Sequence, residues 1–134
     1  MNHSEYHLQK SICQYLRAQY PKVMFLSDTV ANVSLTIPQQ VRNKAIQNSD
    51  FKCPDLLIFK PKFIFYDDPT YYHGLFLELK TESPFRKDGK IKASQNDHLK
   101  LQQETLFKLS LLGYKAEFAW SFDMAINIIN EYLK

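Results

Sequence analysis

Lys52-Cys53-Pro54-Asp55 leads into the apolar run Leu56-Leu57-Ile58-Phe59, and Leu75-Phe76-Leu77 leads into Glu78-Leu79-Lys80. Each run has the length and punctuation of a short strand: Pro54 and Pro61 bound the first, and Gly74 introduces the second. Alternate residues of a strand share a face, so Glu78 and Lys80 project to one side, about 6.6 Å apart along the backbone. Leu75, Leu77 and Leu79 take the opposite side and give the strand a reason to be buried. Pairing of the two strands brings Asp55 beside Glu78, with Lys80 close by. Two carboxylates at that range repel unless one is protonated or a cation lies between them. Magnesium accepts one or two protein carboxylates and keeps its other positions for water and substrate phosphate. The trio therefore points to phosphodiester hydrolysis, with Lys80 orienting an attacking water or stabilising charge on phosphorus.

The elements that must hold these residues follow from the rest of the pattern. Residues 3 to 20 read as a helix, with Asn2 or Ser4 as N-cap and Pro21 as the stop. Leu8, Ile12 and Leu16 form its apolar stripe, and Glu5 falls on that same stripe. Two readings stand for Glu5: a first-turn acid that closes a capping box with Asn2, or a third carboxylate aimed at the acidic site. Val23 to Leu26 reads as a strand ended by Ser27-Asp28, and Pro38 to Ile46 as a short polar helix whose Arg42 and Lys44 form a solvated face. The stretch from Lys60 to Gly74 reads as an extension of the two site strands into one long hairpin, with Asp67 to Gly74 as its turn. Asp67-Asp68 competes with Asp55 for a metal, but neighbouring strand residues face opposite ways and Pro69 follows, which favours turn residues. Tyr71, Tyr72 and His73 have the chemistry to stack on bases, although covering an edge of the core is the commoner role of turn aromatics.

After Lys80 the chain turns polar, and Arg86, Lys87, Lys90 and Lys92 surround a single acid, Asp88. A solvated charge run is the ordinary reading of such a cluster; its position directly after the Glu78 strand favours a mobile phosphate-contacting loop. Ser94 reads as the N-cap of a helix reaching Leu112, with Gly113 as its stop. Leu99, Leu106 and Leu109 form its buried stripe, and Gln95 and Gln102 fall within it. His98, in the first turn, has two readings: a surface histidine, the commoner one, or a residue at the site entrance. Tyr114, Ala116, Phe118 and Trp120 alternate with Lys115, Glu117 and Ala119 in a strand with one face buried, and Ser121 caps a last helix bearing Ala125, Ile126, Ile128, Ile129, Tyr132 and Leu133.

Bulk properties narrow the class. A length of 134 residues fits one domain with a real core, and 45% hydrophobic with 23% charged residues is an ordinary globular balance. A net charge of +3 is compatible with an anionic partner without requiring one. Cys13 and Cys53 have neither disulfide-framework nor zinc spacing, so reduced thiols in a cytosolic protein are expected. No apolar run reaches the roughly 18 residues of a membrane span, and the N-terminus lacks signal-peptide features.

Pro54-Asp55 followed after 23 residues by Glu78-Leu79-Lys80 resembles the PD-(D/E)XK signature of restriction-endonuclease-like and Holliday-junction-resolving enzymes. The later chain resembles one branch, the virus-type replication-repair nuclease (VRR-NUC) domain often carried by phages: an E-L-K strand, a basic loop, a helix carrying Gln102, then Leu112-Gly113-Tyr114 and a last strand and helix. The resemblance covers the chain from about Glu5 onward. It implies an α/β fold of the restriction-endonuclease type, a central mixed sheet flanked by helices in the order αβββαβ, in one domain spanning residues 1–134. It further implies a magnesium- or manganese-dependent DNA endonuclease acting on junctions, flaps or branches in replication, repair or recombination. Its metal would sit on Asp55, Glu78 and the Leu79 carbonyl. Lys80, Glu5 and Gln102 would complete the catalytic group, Arg86, Lys87, Lys90 and Lys92 would hold nucleic acid, and a homodimer would address two strands. The signature usually has glycine before Pro-Asp, where this chain has Cys53. That departure keeps a second reading open, a nucleic-acid-binding module without cleavage, and a weaker third is a metalloenzyme acting on small nucleotides.

Overall fold

The computed structural model describes residues 3–28, 34–67 and 69–134. Helix α1 (His3–Gln19) is followed by strand β1 (Phe25–Ser27), helix α2 (Ile37–Ile46) and strand β2 (Leu56–Ile58). Strands β3 (Lys62–Ile64), β4 (Thr70–Tyr72) and β5 (Leu75–Leu79) precede helix α3 (His98–Leu111), strand β6 (Lys115–Ala119) and helix α4 (Phe122–Leu133). Four strands form a mixed sheet in the order β1-β2-β5-β6, antiparallel across β1/β2 and β2/β5 and parallel across β5/β6. A parallel pair needs a crossover, and α3 supplies it.

Strand β5 is buried along its whole length because it is covered on both faces. Leu75, Leu77 and Leu79 join Ile12 and Leu16 of α1 and Ala125, Ile129 and Tyr132 of α4 in the main core. The other face carries Phe76 and Glu78 and lies under α3, whose buried residues are Gln102, Thr105, Leu106 and Leu109. The leucine face expected to bury the strand is thus joined by a second buried face. Ala119, expected on the exposed side of its strand, is likewise fully buried in the main core.

The segment between the site strands differs from the expected single hairpin. β3 and β4 pair only with each other, as a separate two-stranded ribbon. Tyr71, Tyr72 and His73 therefore lie on or just after a strand, where Tyr72 packs on Tyr132 and His73 on Tyr114. Asp67 is exposed in the connection, and Asp68 lies outside the described residues, as does Asn2.

Helix α3 also starts later than expected. Ser94 precedes one 3-10 turn, Gln95–Asp97, and Asp97 takes a left-handed conformation (φ 54°) before the α-helix begins. The Ser94 hydroxyl still accepts from the Leu99 N–H at 2.8 Å. That extra turn leaves Gln95 exposed, not within the buried stripe. At the other end Gly113 has φ 98°, and a Cβ there would lie 2.7 Å from the His73 ring, so both backbone and space require glycine. Ser121 caps α4 as expected, accepting from the Met124 N–H at 3.0 Å.

Candidate active site

Sheet register builds the site. Leu56 stands opposite Leu77, so extending the pairing by one residue places Asp55 opposite Glu78 on the α3 side of the sheet. β1 adds Asp28 to the same row, since the Asp28 N–H donates to the Asp55 carbonyl at 2.9 Å. Asp55 Oδ2 accepts the Leu79 N–H at 2.8 Å, which locks the first carboxylate to the strand carrying the second. Asp55 and Glu78 come within hydrogen-bonding reach of each other. Gln102, arriving from α3, donates its amide to Glu78 Oε1 at 2.8 Å, and the same Nε2 lies 3.1 Å from His98 Nε2. An amide NH₂ only donates, so this His98 nitrogen accepts and the proton of the neutral ring sits on Nδ1.

The peptide after Leu79 is oriented by β6. The Lys80 N–H donates to the Ala119 carbonyl at 2.9 Å. In a trans peptide C=O and N–H point in opposite directions, so the Leu79 carbonyl points toward the Asp55 side. Lys80 itself is half-buried just beyond the strand. Among the described residues it forms no direct ion pair with either carboxylate, although its charge acts on both.

The electrostatics are those of crowded acids. Glu78 is only 4% exposed. Burial, and then the neighbouring Asp55 charge, push its proton affinity well above the ordinary glutamate range, with Lys80 opposing. Burial also raises Asp55, against the stabilising bonds from Glu78 and the Leu79 N–H. His98 is shifted down by desolvation and then by Lys80 and Lys52, consistent with a neutral ring. Burial, and then the nearby carboxylates, push the Cys53 thiol up to about 11, so the metal-free protein carries it protonated at neutral pH.

Asp55, Glu78, Leu79, Lys80, Glu5 and Gln102 all line one open cavity of about 460 Å³. The structure thus brings together every residue expected at the centre. It does not bring in the basic loop: Arg86, Lys87 and Lys90 do not line this cavity, and only Lys92 borders an adjoining depression with Lys80. The loop is a small hairpin closed by a Phe85–Ile91 bridge, with Arg86 paired to Asp88 at 2.9 Å and Phe85 edge-on to Phe118 and Trp120. Sequence reasoning missed Asp28, Asn43, Gln47, Phe51 and Lys52, which also line the cavity. Asp28 had a signal, an acid closing an apolar run as Asp55 opens one. Nothing in the residue order marks the others.

The donors suit a hard divalent ion. Two carboxylates that resist being charged together gain from a cation between them, and the Leu79 carbonyl is a third oxygen on that side. Among the described residues no group of three or more His, Cys, Asp or Glu is close enough to bind a metal, so the two carboxylates and the Leu79 carbonyl would fill three of six octahedral positions. Gln102 Oε1 is buried with no partner among the described residues, an acceptor left over beside the acids.

The sheet order, the crossover through α3 and acids at the strand ends define a restriction-endonuclease-like α/β fold. Comparison with family models finds no match, and comparison with curated proteins finds none either. Among solved structures, a chain described as a VRR_NUC domain protein superposes with a TM-score of 0.63 over 96% of this chain and 87% of its own, at 19% identity. The likeness shows the fold that the two chains share. Among the described residues no helix is long and apolar enough to cross a membrane.

Proposed function

We propose that this protein is a metal-dependent nuclease that hydrolyses phosphodiester bonds in DNA. The observation that carries the reading is the pair of half-buried Asp55 and buried Glu78, within hydrogen-bonding reach of each other at the end of paired strands, with Lys80 beside them. Magnesium or manganese would be held by Asp55, Glu78 and the Leu79 carbonyl, and when bound would neutralise the carboxylates and polarise the scissile phosphate. Lys80, its ammonium unpaired with either acid, is placed to hold a water or an anionic oxygen at the cavity. Gln102 fixes the orientation of Glu78 through its amide. Glu5, on the cavity wall, adds negative charge that favours a cation. The structural likeness to a VRR_NUC domain protein supports the same reading.

The test is incubation of the purified chain with plasmid and branched DNA in magnesium or manganese, with and without EDTA. Metal-dependent cleavage is expected. Binding without cleavage would replace the proposal by a non-catalytic binding module, and hydrolysis of mononucleotides alone would replace it by a nucleotide-directed metalloenzyme.

A further inference from the structure

The wall of the cavity formed by α2 has no part in the chemistry above, and it is built in an unusual way. A surface helix ordinarily turns its apolar stripe inward. None of the residues of α2 is buried, and Ile37 and Ile46 are 76% and 79% exposed. Toward the cavity it presents Asn43 and Gln47, one turn apart, with Gln47 Nε2 donating to Asn43 Oδ1 at 3.2 Å. Phe51 lines the same cavity and is 37% exposed. From Ser34 to Ser49 the sequence has no acid, and its only charges are Arg42 and Lys44. One side of the site is therefore acidic and suited to a cation, while Asn43, Gln47 and Phe51, which line the other, are two amides and an aromatic ring.

The cavity also adjoins two further depressions. Glu5 and Lys80 are shared with a depression that includes Lys92, and Lys52 and His98 with another that includes Ser94 and Leu101. A groove of this form admits a chain passing through, beyond a single compact molecule.

Side-chain amides hydrogen-bond to the edges of bases, and aromatic rings stack on their faces. Both contacts need a base whose face and edge are free, as in a single strand, a loop or an end. We infer that Asn43, Gln47 and Phe51 form a subsite for an unpaired nucleobase beside the bond to be cleaved, so that the substrate is a polynucleotide strand unpaired at that position. The inference rests on the nuclease reading and specifies its substrate class.

The experiment measures binding by fluorescence anisotropy in a Glu78→Gln background, so that affinity is read without turnover. Three probes of equal length are compared: a single-stranded oligonucleotide, the same strand fully paired, and a strand of abasic nucleotides. The parent is expected to bind the single strand about tenfold more tightly than the other two. Phe51→Ala and the double variant Asn43→Ala/Gln47→Ala should each lose about tenfold on the single strand and nothing on the abasic strand, where no base is present to contact. Circular dichroism checks that these surface substitutions leave the fold intact. Equal binding of the single strand by parent and variants, or equal losses on the abasic strand, overturns the subsite alone. A parent that binds none of the three probes also overturns the subsite, while the nuclease reading stands or falls separately on metal-dependent cleavage by the wild-type chain.

Discussion

At the scale of single residues the site depends on two acids that cannot both be comfortably charged. Glu78 keeps its proton to higher pH in the folded chain than in the unfolded one, because burial and Asp55 disfavour its anion. Between the ordinary glutamate value and the raised folded one, the folded state carries more protons than the unfolded. The stability of the metal-free protein therefore falls as pH rises through that window, and below it the effect vanishes. Glu78→Gln removes the titration. Thermal melts in EDTA should show a flatter pH profile for this variant and a higher Tm than wild type at neutral pH. Added magnesium should raise the wild-type Tm and leave the variant unmoved, and identical profiles for the two proteins would reject the coupling. Lys80→Ala tests the other pole: cleavage should fall below detection while circular dichroism shows the fold retained, since the ammonium forms no direct ion pair with either acid. An unaltered cleavage rate would remove Lys80 from the chemistry. Asp55, Glu78 and Lys80 were legible in the sequence because strand parity alone determines which side chains share a face. Phe51, Asn43 and Gln47 were not, because their position depends on how α2 is carried over the cavity, which no local periodicity encodes.

At the scale of elements, two helix caps with the same chemistry should behave differently. Thr36 closes a capping box on α2, accepting from the Gln39 N–H at 3.3 Å while its own N–H donates to Gln39 Oε1 at 2.9 Å. Ser121 caps α4, which buries Ala125, Ile129 and Tyr132. Removing a cap costs about 1 kcal/mol of helix stability. For Ser121→Ala that cost should appear in global unfolding, because α4 cannot loosen without opening the core. For Thr36→Ala it should appear as faster amide hydrogen exchange within α2 at an unchanged melting midpoint, because a helix of this length is marginal without packing. Equal shifts in both midpoints would show that α2 is part of the cooperative core. The order of the principal elements was readable from caps, prolines and hydrophobic period. The separate β3/β4 ribbon was not, since two consecutive apolar strands with a turn between them fit one long hairpin equally well. The break at Pro61 keeps β3 from continuing the pairing of β2.

At the scale of the whole molecule, a polyanion bound in the groove should displace counterions. Binding of DNA should weaken steeply with salt, with the logarithm of the affinity falling roughly in proportion to the number of phosphates neutralised. Lys92, which borders the groove, should reduce that slope by about one unit when changed to alanine. Arg86, already paired with Asp88, should change it little. A slope unaffected by Lys92→Ala but reduced by Arg86→Ala would move the phosphate path onto the basic hairpin. The clustering of positive charge after Lys80 was evident in the sequence. Which of those charges face the groove was decided by the packing of Phe85 on Phe118 and Trp120, a long-range contact.

The parallel pairing of β5 with β6 has a consequence for synthesis. Lys80 is aligned by a bond to Ala119, and Glu78 by a glutamine from the intervening helix, so the acids near the middle of the chain wait on residues translated much later. A ribosome-held fragment that stops before residue 115 has the acidic pair but lacks the strand that orients its lysine. On the proposed nuclease reading, the chain would emerge inactive and become competent only once β6 has docked.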